Sequence, residues 1–476
     1  MKSDSPLFKK LYQQFSAYND GSRFFEYAQN PHYKGLRVNT LKISTDAFLK
    51  FGLCKDRTPF CKDGFYIQSA KKLGNHPLHH AGAFYLQEPS AMSAVTALDP
   101  KPGDRILDLC AAPGGKSTQI AAGLCGKGLL VSNEIVKSRA NILLSNMERM
   151  GVSNAAVTSC HPDVIAAAMP CAFDKILVDA PCSGEGMIRK DPAILDSWSE
   201  ENVAACAVRQ LKILNTAARC LIPGGILIYS TCTFSKEEDE GVIEQFLKAH
   251  PEFSLQSISA DFGRPALNMP LARRILWNDG GEGHFVARLI KSADANRELK
   301  NDAPENFSQI HNNINAQSKY KGRRKKHESF VRTSENGFSA SESINLFLKF
   351  AEKNKITFNG GRLRAAEERL YLLPDEGELP CEIPVIRFGV LLGNVQKGRF
   401  VPAHAMYACP AIETERTLSL PFDDSRCLKF LHGEEILADA EDGYWRVAIE
   451  GVPLGFGKLS GGRLKNGYPK GLRTLK

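Results

Sequence analysis

Residues 105–117 read Arg-Ile-Leu-Asp-Leu-Cys-Ala-Ala-Pro-Gly-Gly-Lys-Ser, a short apolar run that passes into a turn of small residues. A helical pattern follows the turn, and a second apolar run, Gly128 to Ser132, ends at Asn133-Glu134. A strand, a glycine-containing turn, a helix and an acid at the end of the next strand form an arrangement that binds nucleoside cofactors. The sequence therefore predicts an α/β fold with a cofactor at one edge of a parallel sheet.

Two common phosphate-binding loops do not fit this turn. The dinucleotide pattern Gly-x-Gly-x-x-Gly is absent, and a P-loop that ends at Gly115-Lys116-Ser117 needs glycine where Cys110 stands. A cofactor with a ribose and no phosphate remains, and S-adenosyl-L-methionine fits because small residues let backbone amides approach its amino-acid moiety. Glu134 is predicted to hold the ribose hydroxyls. The predicted contacts in the turn are Cys110, Ala111, Ala112, Pro113, Gly114, Gly115 and Lys116.

The adenine edge of the cofactor is expected to meet the segment after the third predicted strand, Ala155 to Ser159. An acid there would pair with the adenine amino group, and Asp163 is such an acid, whereas His161 lies closer to the strand. Both residues are therefore candidates for this contact. Asp179, at the end of the next strand, is a further candidate cofactor contact.

Two cysteines stand at the ends of two predicted strands, in Asp179-Ala180-Pro181-Cys182-Ser183-Gly184 and in Tyr229-Ser230-Thr231-Cys232-Thr233. Carbon 5 of cytosine is a poor nucleophile, and addition of a thiolate at carbon 6 turns it into an enamine-like one. Asp179 would lie at the same sheet edge, where its carboxylate could bind the exocyclic amine and ring nitrogen of cytosine. The predicted catalytic residues are thus Cys182, Cys232 and Asp179, and spacing alone leaves open which cysteine attacks.

The distribution of charge suggests a polyanionic partner. The net charge is +8, and residues 319–326, Lys-Tyr-Lys-Gly-Arg-Arg-Lys-Lys, carry six positive charges. Such clusters are typical of nucleic-acid binding, although a solvated linker would carry them too. Basic residues also crowd the carboxyl terminus, namely Lys458, Arg463, Lys465, Lys470, Arg473 and Lys476.

Several other classes of protein are disfavoured by the sequence. No apolar run is long enough to span a bilayer and the amino terminus has no apolar signal region, so we expect a cytoplasmic protein without a membrane partner. No two of the 13 cysteines are spaced as Cys-x-x-Cys, so no metal site is predicted.

Three segments in this order, Asp108 to Ser117, Asp179 to Gly186 and Tyr229 to Thr233, resemble the Nop/Sun family of RNA 5-methylcytosine methyltransferases. The resemblance covers about residues 1–291. Segments outside the sheet that also resemble the family are Arg37-Val38-Asn39-Thr40, Tyr85-Leu86-Gln87-Glu88-Pro89-Ser90 and Gly281-Glu282-Gly283-His284-Phe285.

The resemblance implies a Rossmann-like class I methyltransferase sheet of seven strands, with Cys232 as nucleophile, Cys182 assisting release and Asp179 contacting the base. The family often has an acid where His161 stands. The carboxyl-terminal extension is similar to the RsmF branch, whose members act on small-subunit ribosomal RNA and end in a PUA-like module.

We therefore expect a methyltransferase that modifies cytosine carbon 5 in RNA, with small-subunit ribosomal RNA as the partner. Two alternatives stay open: a DNA cytosine methyltransferase, which would use the cysteine of Pro181-Cys182, and a noncatalytic RNA-binding assembly factor. The predicted regions are 1–95, an RNA-binding extension; 96–292, the methyltransferase core; 293–340, a basic flexible linker; 341–406, a small α+β domain; and 407–476, a PUA-like RNA-binding β-barrel.

Overall fold

The computed structural model of the chain describes residues 6–68, 72–294 and 339–474. The predicted linker 293–340 therefore lies almost entirely outside the described residues, as do its basic run 319–326 and the terminal Lys476. None of the helices within the described ranges is long and apolar enough to cross a membrane.

The amino-terminal region begins with two short helices and continues into a three-stranded antiparallel sheet. One face of the first helix buries Leu7, Phe8, Leu11 and Phe15, the spacing expected of an amphipathic helix that packs on its neighbours. The helices are α1 (Pro6–Ser16), α2 (Phe24–Gln29), α3 (Thr45–Leu49) and α4 (Pro77–His80). The strands are β1 (Gly35–Val38), β2 (Gly64–Tyr66) and β3 (Phe84–Gln87), with β1 in the middle.

The next two hundred residues or so alternate helices and strands, as their apolar pattern predicts. The strands are β4 (Arg105–Asp108), β5 (Leu129–Asn133), β6 (Ala155–Thr158), β7 (Phe173–Asp179), β8 (Leu221–Thr231), β9 (Phe253–Leu255), β10 (Arg264–Ala266), β11 (Met269–Ile275) and β12 (His284–Lys291). The helices are α5 (Ser93–Leu98), α6 (Gly115–Leu124), α7 (Lys137–Met150), α8 (Pro162–Ala168), α9 (Ile194–Ser197), α10 (Glu200–Cys220) and α11 (Glu240–Ala249).

Seven of these strands lie side by side in the order β6-β5-β4-β7-β8-β12-β11. The first five are parallel to one another, whereas β12 runs antiparallel to both of its neighbours. The chain adds strands on one side of β4 and then returns to add β7 on the other side. Open α/β sheets bind ligands at the carboxyl ends of the strands at such a switch point. The prediction of a Rossmann-like class I methyltransferase sheet is confirmed.

Successive residues of the central strands are buried on opposite faces of the sheet. Ile106 and Leu130 pack with α5, α6 and α7, whereas Leu107 and Val131 pack with α8, α10 and α11. All four side chains are fully buried. The strands are apolar on both sides because helices cover both faces, which is the usual reason for continuous apolar runs in parallel sheets.

Three further sheets follow in residues 339–474, and the smallest is the antiparallel pair β13-β19. Another is antiparallel in the order β14-β15-β17-β18, and the PUA-like end has the order β20-β22-β23-β24-β21. The helices are Ala340–Lys353, His404–Ala408 and Ser425–His432. The strands are β13 (Ile356–Phe358), β14 (Arg362–Ala366), β15 (Arg369–Leu373), β16 (Val385–Phe388), β17 (Val390–Gln396), β18 (Arg399–Pro402), β19 (Ile412–Thr414), β20 (Thr417–Leu420), β21 (Ile436–Leu437), β22 (Gly443–Ile449), β23 (Val452–Ser460) and β24 (Arg463–Asn466).

One strand of the carboxyl-terminal part joins the central sheet. β16 pairs antiparallel with β6, where Val385 lies opposite Thr158 and Phe388 lies opposite Ala156. With β9 and β10 at the other end, the central sheet contains ten strands among the described residues. Main-chain hydrogen bonds therefore connect the predicted α+β domain to the predicted methyltransferase core.

The first and last parts of the chain also pack against each other. Apolar side chains of β1 and β3 share one core with those of β22 and the helix Ser425–His432. Nζ of Lys42 lies within this junction and donates to the main-chain oxygens of Ala81, Arg149 and Pro453 at 2.8, 2.9 and 2.9 Å. The two terminal regions for which we predict RNA binding are therefore neighbours in space.

Candidate active site

The predicted cofactor loop joins β4 to α6 and is supported by the amino-terminal sheet. Arg37, which is 1% exposed, donates to the main-chain oxygen of Gly115 at 3.0 Å and to Oγ1 of Thr118 at 2.8 Å. Tyr85 lies so close that a Cβ on Gly115 would be 3.3 Å from its ring. The segments around Arg37 and Tyr85, which resemble family segments, thus hold the loop in place.

The turn itself is shaped by a glycine and a buried acid. Gly114 has a φ of +112°, a backbone conformation that residues other than glycine rarely adopt. Oδ2 of Asp108 accepts a hydrogen bond from Oγ of Ser117 at 2.6 Å, which ties the end of β4 to the first turn of α6. Burial raises the pKa of Asp108 to about 7, although the hydrogen bond from Ser117 opposes the rise.

A cavity of about 1060 Å³ opens at the carboxyl ends of β4 and β7. Its volume lies at the upper end of the range for small-molecule sites, which suits a cofactor together with a second group. The predicted site residues that line it are Cys110, Ala112, Glu134, His161, Asp163, Asp179, Cys182 and Cys232. The other predicted loop contacts do not line this cavity in the described part of the chain. They are Ala111, Pro113, Gly114, Gly115 and Lys116.

Glu134 follows β5 and presents its carboxylate at the wall of the cavity. The residue is 4% exposed, its Oε1 accepts from the main-chain nitrogen of Val136 at 3.0 Å, and its Oε2 lies 3.4 Å from Nη1 of Arg139. These contacts fix the carboxylate in one orientation. An oriented acceptor at the end of the second parallel strand suits a pair of hydroxyl groups.

The two candidates for the adenine contact lie at the other end of the cavity, where Asp163 already has partners. Its Oδ1 accepts from Oγ1 of Thr216 at 2.8 Å and from Nη2 of Arg219 at 2.5 Å. Nδ1 of His161 accepts from the main-chain nitrogen of Asp163 at 3.3 Å and so caps α8. An adenine amine would have to share the Asp163 carboxylate with α10.

Asp179 ends β7 and forms an ion pair with Lys116, whose Nζ lies 2.7 Å from its Oδ2. Oδ1 of Asp179 accepts from Oγ of Ser230 at 2.8 Å. Burial alone would raise the pKa of this carboxyl group, but Lys116, His284 and Ser230 outweigh burial and hold the pKa of Asp179 below its ordinary value. Lys116 is predicted as a cofactor contact, and its ammonium group lies on Asp179 instead of reaching the cavity directly.

The two cysteines lie side by side at the ends of β7 and β8. The distance between Sγ of Cys182 and Sγ of Cys232 is 3.3 Å. The hydrogen bond between the sulfurs, followed by burial, raises the pKa of Cys182 well above its ordinary value. Cys182 is therefore a neutral thiol at physiological pH.

A buried glutamate holds the loop that carries Cys182. Oε2 of Glu238 accepts from the main-chain nitrogen of Ser183 at 3.0 Å and from Nε2 of Gln210 at 2.8 Å. Gln210 also donates to the main-chain oxygen of Pro181 at 3.1 Å. Glu238 is fully buried, so the cysteine loop has hydrogen-bonded support on the side away from the cavity.

A second buried glutamate joins the two cysteine loops. Glu185 accepts from Oγ of Ser235 at 2.7 Å and from the main-chain nitrogen of Phe234 at 3.2 Å. The main-chain nitrogen of Gly186 donates to the oxygen of Cys232 at 3.0 Å, and a Cβ on Gly186 would be 2.9 Å from that oxygen. Only glycine allows the loops to approach so closely.

Sequence reasoning did not identify Ser230, Gln210, Glu238 or His284 as parts of the site. Nε2 of His284 lies 3.8 Å from Oδ1 of Asp179, and burial lowers the pKa of His284 to about 3. One signal was present: residues 237–240 are four consecutive acids shortly after Cys232, and the last three are fully buried. A run of acids that follows a catalytic strand is a reason to look for support of the site.

Comparison with known protein families gives matches along most of the chain. The model described as 16S rRNA methyltransferase RsmB/F matches residues 95–290, and the N-terminal domain of 16S rRNA methyltransferase RsmF matches residues 6–89. The RsmF rRNA methyltransferase first C-terminal domain matches residues 349–408, and the methyltransferase RsmF PUA domain matches residues 417–474.

Individual relatives agree with these matches. Ribosomal RNA small subunit methyltransferase F of Vibrio vulnificus is 32% identical over 471 residues, 94% of this chain and 93% of the relative. The protein of the same name from Pectobacterium carotovorum is 42% identical over 284 residues, 57% of this chain and 59% of the relative. A crystal structure of a methyltransferase homolog protein from Pyrococcus horikoshii is 31% identical with a TM-score of 0.51, and the match covers 60% of this chain and 99% of that one. The chain belongs to the RsmF family of ribosomal RNA small subunit methyltransferases.

Proposed function

We propose that the protein transfers a methyl group from S-adenosyl-L-methionine to carbon 5 of a cytosine in small-subunit ribosomal RNA. The observation that carries the chemistry is the contact between Cys182 and Cys232, 3.3 Å apart beside a carboxylate held by Lys116. The relatives are named for small-subunit ribosomal RNA, which supports that substrate class. In this proposal the regions 1–95 and 407–476 position the RNA.

The residues that line the cavity beside the cofactor loop fit S-adenosyl-L-methionine. Cys110 and Ala112 are small enough for close approach of the backbone, and the fixed carboxylate of Glu134 can accept from two ribose hydroxyls. When bound, this cofactor supplies an electrophilic methyl group. The chain itself contributes the nucleophile, the contact with the base and the groups that assist release.

Cys232 is the proposed nucleophile, and its thiolate adds to carbon 6 of the cytosine. Cys182 keeps its proton because the hydrogen bond between the sulfurs and burial raise its pKa, which disfavours Cys182 as the attacking thiolate. Addition places electron density on carbon 5, which then accepts the methyl group.

Asp179 is the proposed contact with the exocyclic amine of the cytosine. Its lowered pKa keeps it an ionised acceptor, and an amine is a donor. Uracil carries a carbonyl oxygen at the same place, which would face the carboxylate as a second acceptor. The charge state of Asp179 therefore favours cytosine over uracil.

Release reverses the addition. A general base removes the proton from carbon 5. The electron pair of the broken carbon–hydrogen bond re-forms the double bond between carbons 5 and 6, and the bond to the Cys232 sulfur breaks. The Cys182 thiol, 3.3 Å away, can donate a hydrogen bond to the departing sulfur and stabilise it as a thiolate. Cys182 is thus proposed to assist elimination without attacking the base.

The function is tested by transfer of tritiated methyl groups to purified small ribosomal subunits, to their naked RNA and to single-stranded DNA. Nuclease digestion and mass spectrometry then identify the modified nucleoside. We expect 5-methylcytidine in ribosomal RNA and none in DNA. Methylation of DNA would support the DNA methyltransferase alternative, and the absence of transfer to every acceptor would support a noncatalytic role.

A further inference from the structure

We propose that Arg209 and Lys212 of α10 bind the two phosphates that flank the target nucleotide and hold the RNA strand against one wall of the catalytic cavity. Neither residue is among those proposed to act on the cofactor or on the cytosine ring. The inference rests on the proposed function in one respect, namely that the substrate is RNA. It gives a role to a wall of the cavity that the chemistry itself does not use.

The two cations lie one helical turn apart on α10, and both line the cavity. Residues three apart on a helix are neighbours, with about 5–6 Å between their Cβ atoms. Arg209 and Lys212 are both exposed, so a ligand in the cavity can reach them. Another face of the same helix is buried, and it includes Cys206, Gln210, Leu214 and Ala217.

Contacts on either side of this turn place the two cations along the cavity. Gln210, the next residue after Arg209, donates to the main-chain oxygen of Pro181 in the cysteine loop at 3.1 Å. Further along the helix, Thr216 donates to Asp163 at 2.8 Å, at the end of the cavity where adenine is expected. Arg209 therefore lies beside the cysteine loop, and the second cation lies one turn further toward the adenine end.

The acids of the cavity are already paired with other cations. Three carboxylates line the cavity, and the ion pairs are Glu134 with Arg139 at 3.4 Å, Asp163 with Arg219 at 2.5 Å and Asp179 with Lys116 at 2.7 Å. Within the ranges that the structure describes, neither Arg209 nor Lys212 forms an ion pair or a side-chain hydrogen bond. Glu238, on the buried side of α10, accepts from Gln210 and Ser183 instead. The wall therefore presents two positive charges that no described carboxylate pairs with.

An extruded nucleotide would bring phosphates to this wall. An enzyme that acts on a ring carbon takes the base out of its stack, and the base turns about the backbone into the pocket. The phosphates on its two sides then stay at the rim of the cavity, where lysine and arginine can neutralise them. Two cations beside the cysteine loop match two such phosphates.

The other anionic group that could enter the cavity is the carboxylate of the cofactor. We expect the backbone amides of residues 110–116 to hold its amino-acid moiety, so cations on α10 are not needed there. A single carboxylate would also leave one of the two cations unmatched. Phosphate of the RNA backbone is therefore the occupant that we favour.

The test measures binding of a 5′-fluorescein-labelled single-stranded RNA that contains cytosine to the full-length protein by fluorescence anisotropy, over a series of KCl concentrations. Arg209→Gln and Lys212→Gln should each weaken binding roughly three- to tenfold at low salt, because each removes one phosphate contact. The slope of log Kd against log salt should fall by about 0.7 in each variant, the value expected per phosphate of a single strand. The KM for small-subunit RNA should rise by a similar factor, whereas kcat should change less.

Two control variants separate charge from other effects. Arg209→Lys keeps the cation, so its salt slope should match that of the wild type. Lys248→Gln removes a charge from an exposed position of α11 that does not line the cavity in the part of the chain that is described, and it should bind RNA as the wild type does. Isothermal titration should give the same Kd for S-adenosyl-L-methionine in every variant.

Unchanged salt slopes in both Arg209→Gln and Lys212→Gln would overturn the proposal. It would also be overturned if these variants lost cofactor affinity as much as RNA affinity, because the cations would then serve the cofactor carboxylate. Failure of the proposed function has a different signature. If the wild type transferred no methyl group to RNA while both variants still lost RNA affinity and salt slope, the proposed function would be wrong and the phosphate contact would be supported.

Discussion

Nζ of Lys116 lies 2.7 Å from Oδ2 of Asp179, and this ion pair connects the cofactor loop to the edge of the sheet where the cysteines lie. Each partner shifts the pKa of the other. Burial would lower the pKa of Lys116, but the charge of Asp179 outweighs burial and raises it. Lys116 in turn helps to lower the pKa of Asp179. A lysine from the cofactor turn thereby sets the charge of the proposed base contact.

Lys116→Met should reduce kcat by on the order of 10²-fold, because a cation that stabilises the charges of the site is lost. Without Lys116, burial dominates and the pKa of Asp179 rises, so the acidic limb of the pH–rate profile should move to higher pH. Lys127→Met, at an exposed position, is the matched control and should leave the profile unchanged. Single-turnover methyl transfer between pH 5 and 9 measures both effects. An unshifted acidic limb in Lys116→Met would contradict the role of the pair.

Glu238→Gln should weaken the support of the Cys182 loop. The amide oxygen can replace Oε2 as the acceptor, but the amine then occupies the buried Oε1 position, which has no hydrogen-bond partner among the described residues. We therefore expect the free energy of unfolding to fall by about 1–3 kcal/mol and kcat to fall by roughly tenfold. The Kd for cofactor should stay the same, because Glu238 does not line the cavity in the described part of the chain.

The neighbouring Glu237 supplies the control for that experiment. Its side chain is 56% exposed and pairs with Lys10 at the surface, so Glu237→Gln should change the free energy of unfolding by less than about 0.5 kcal/mol. Urea denaturation of both variants gives the comparison. Equal effects of the two substitutions would mean that burial of Glu238 has no special importance for the loop.

Arg37→Lys should loosen the cofactor loop from the amino-terminal sheet. Lysine cannot reproduce the set of hydrogen bonds to Gly115, Thr118 and Gln87, so we expect a loss of about 2–4 kcal/mol in stability and weaker cofactor binding. Arg23→Lys, at a site that is 59% exposed, should change neither quantity measurably. Denaturation and isothermal titration with S-adenosyl-L-methionine test the two parts. Unchanged cofactor affinity in a folded Arg37→Lys protein would limit Arg37 to a role in folding.

The residues that carry the proposed chemistry could be predicted from local sequence, because strand ends and short turns are local features. Cys182 and Cys232 follow apolar strands and Asp179 ends one, and parallel strands bring their carboxyl ends together at one edge. Lys116 lies in the first turn of α6, and its pairing with Asp179 could not be predicted from the local sequence.

The support of the site could not be predicted in this way. Arg37 and Glu238 are charged residues, which are usually exposed, and their burial depends on partners up to 81 residues away. The pairing of β16 with β6 joins segments separated by more than two hundred residues, and no local pattern specifies it. A short apolar run does not reveal which sheet it will join.

The assignment of different roles to the two cysteines is tested most directly by trapping the covalent intermediate. Cys182→Ala and Cys232→Ala are each incubated with S-adenosyl-L-methionine and small-subunit RNA, then separated on a denaturing gel that resolves protein bound to RNA. Because Cys232 is proposed to attack and Cys182 to assist release, Cys182→Ala should accumulate an adduct and Cys232→Ala should form none. An adduct that appears only with Cys232→Ala would reverse the two roles and contradict the proposed mechanism.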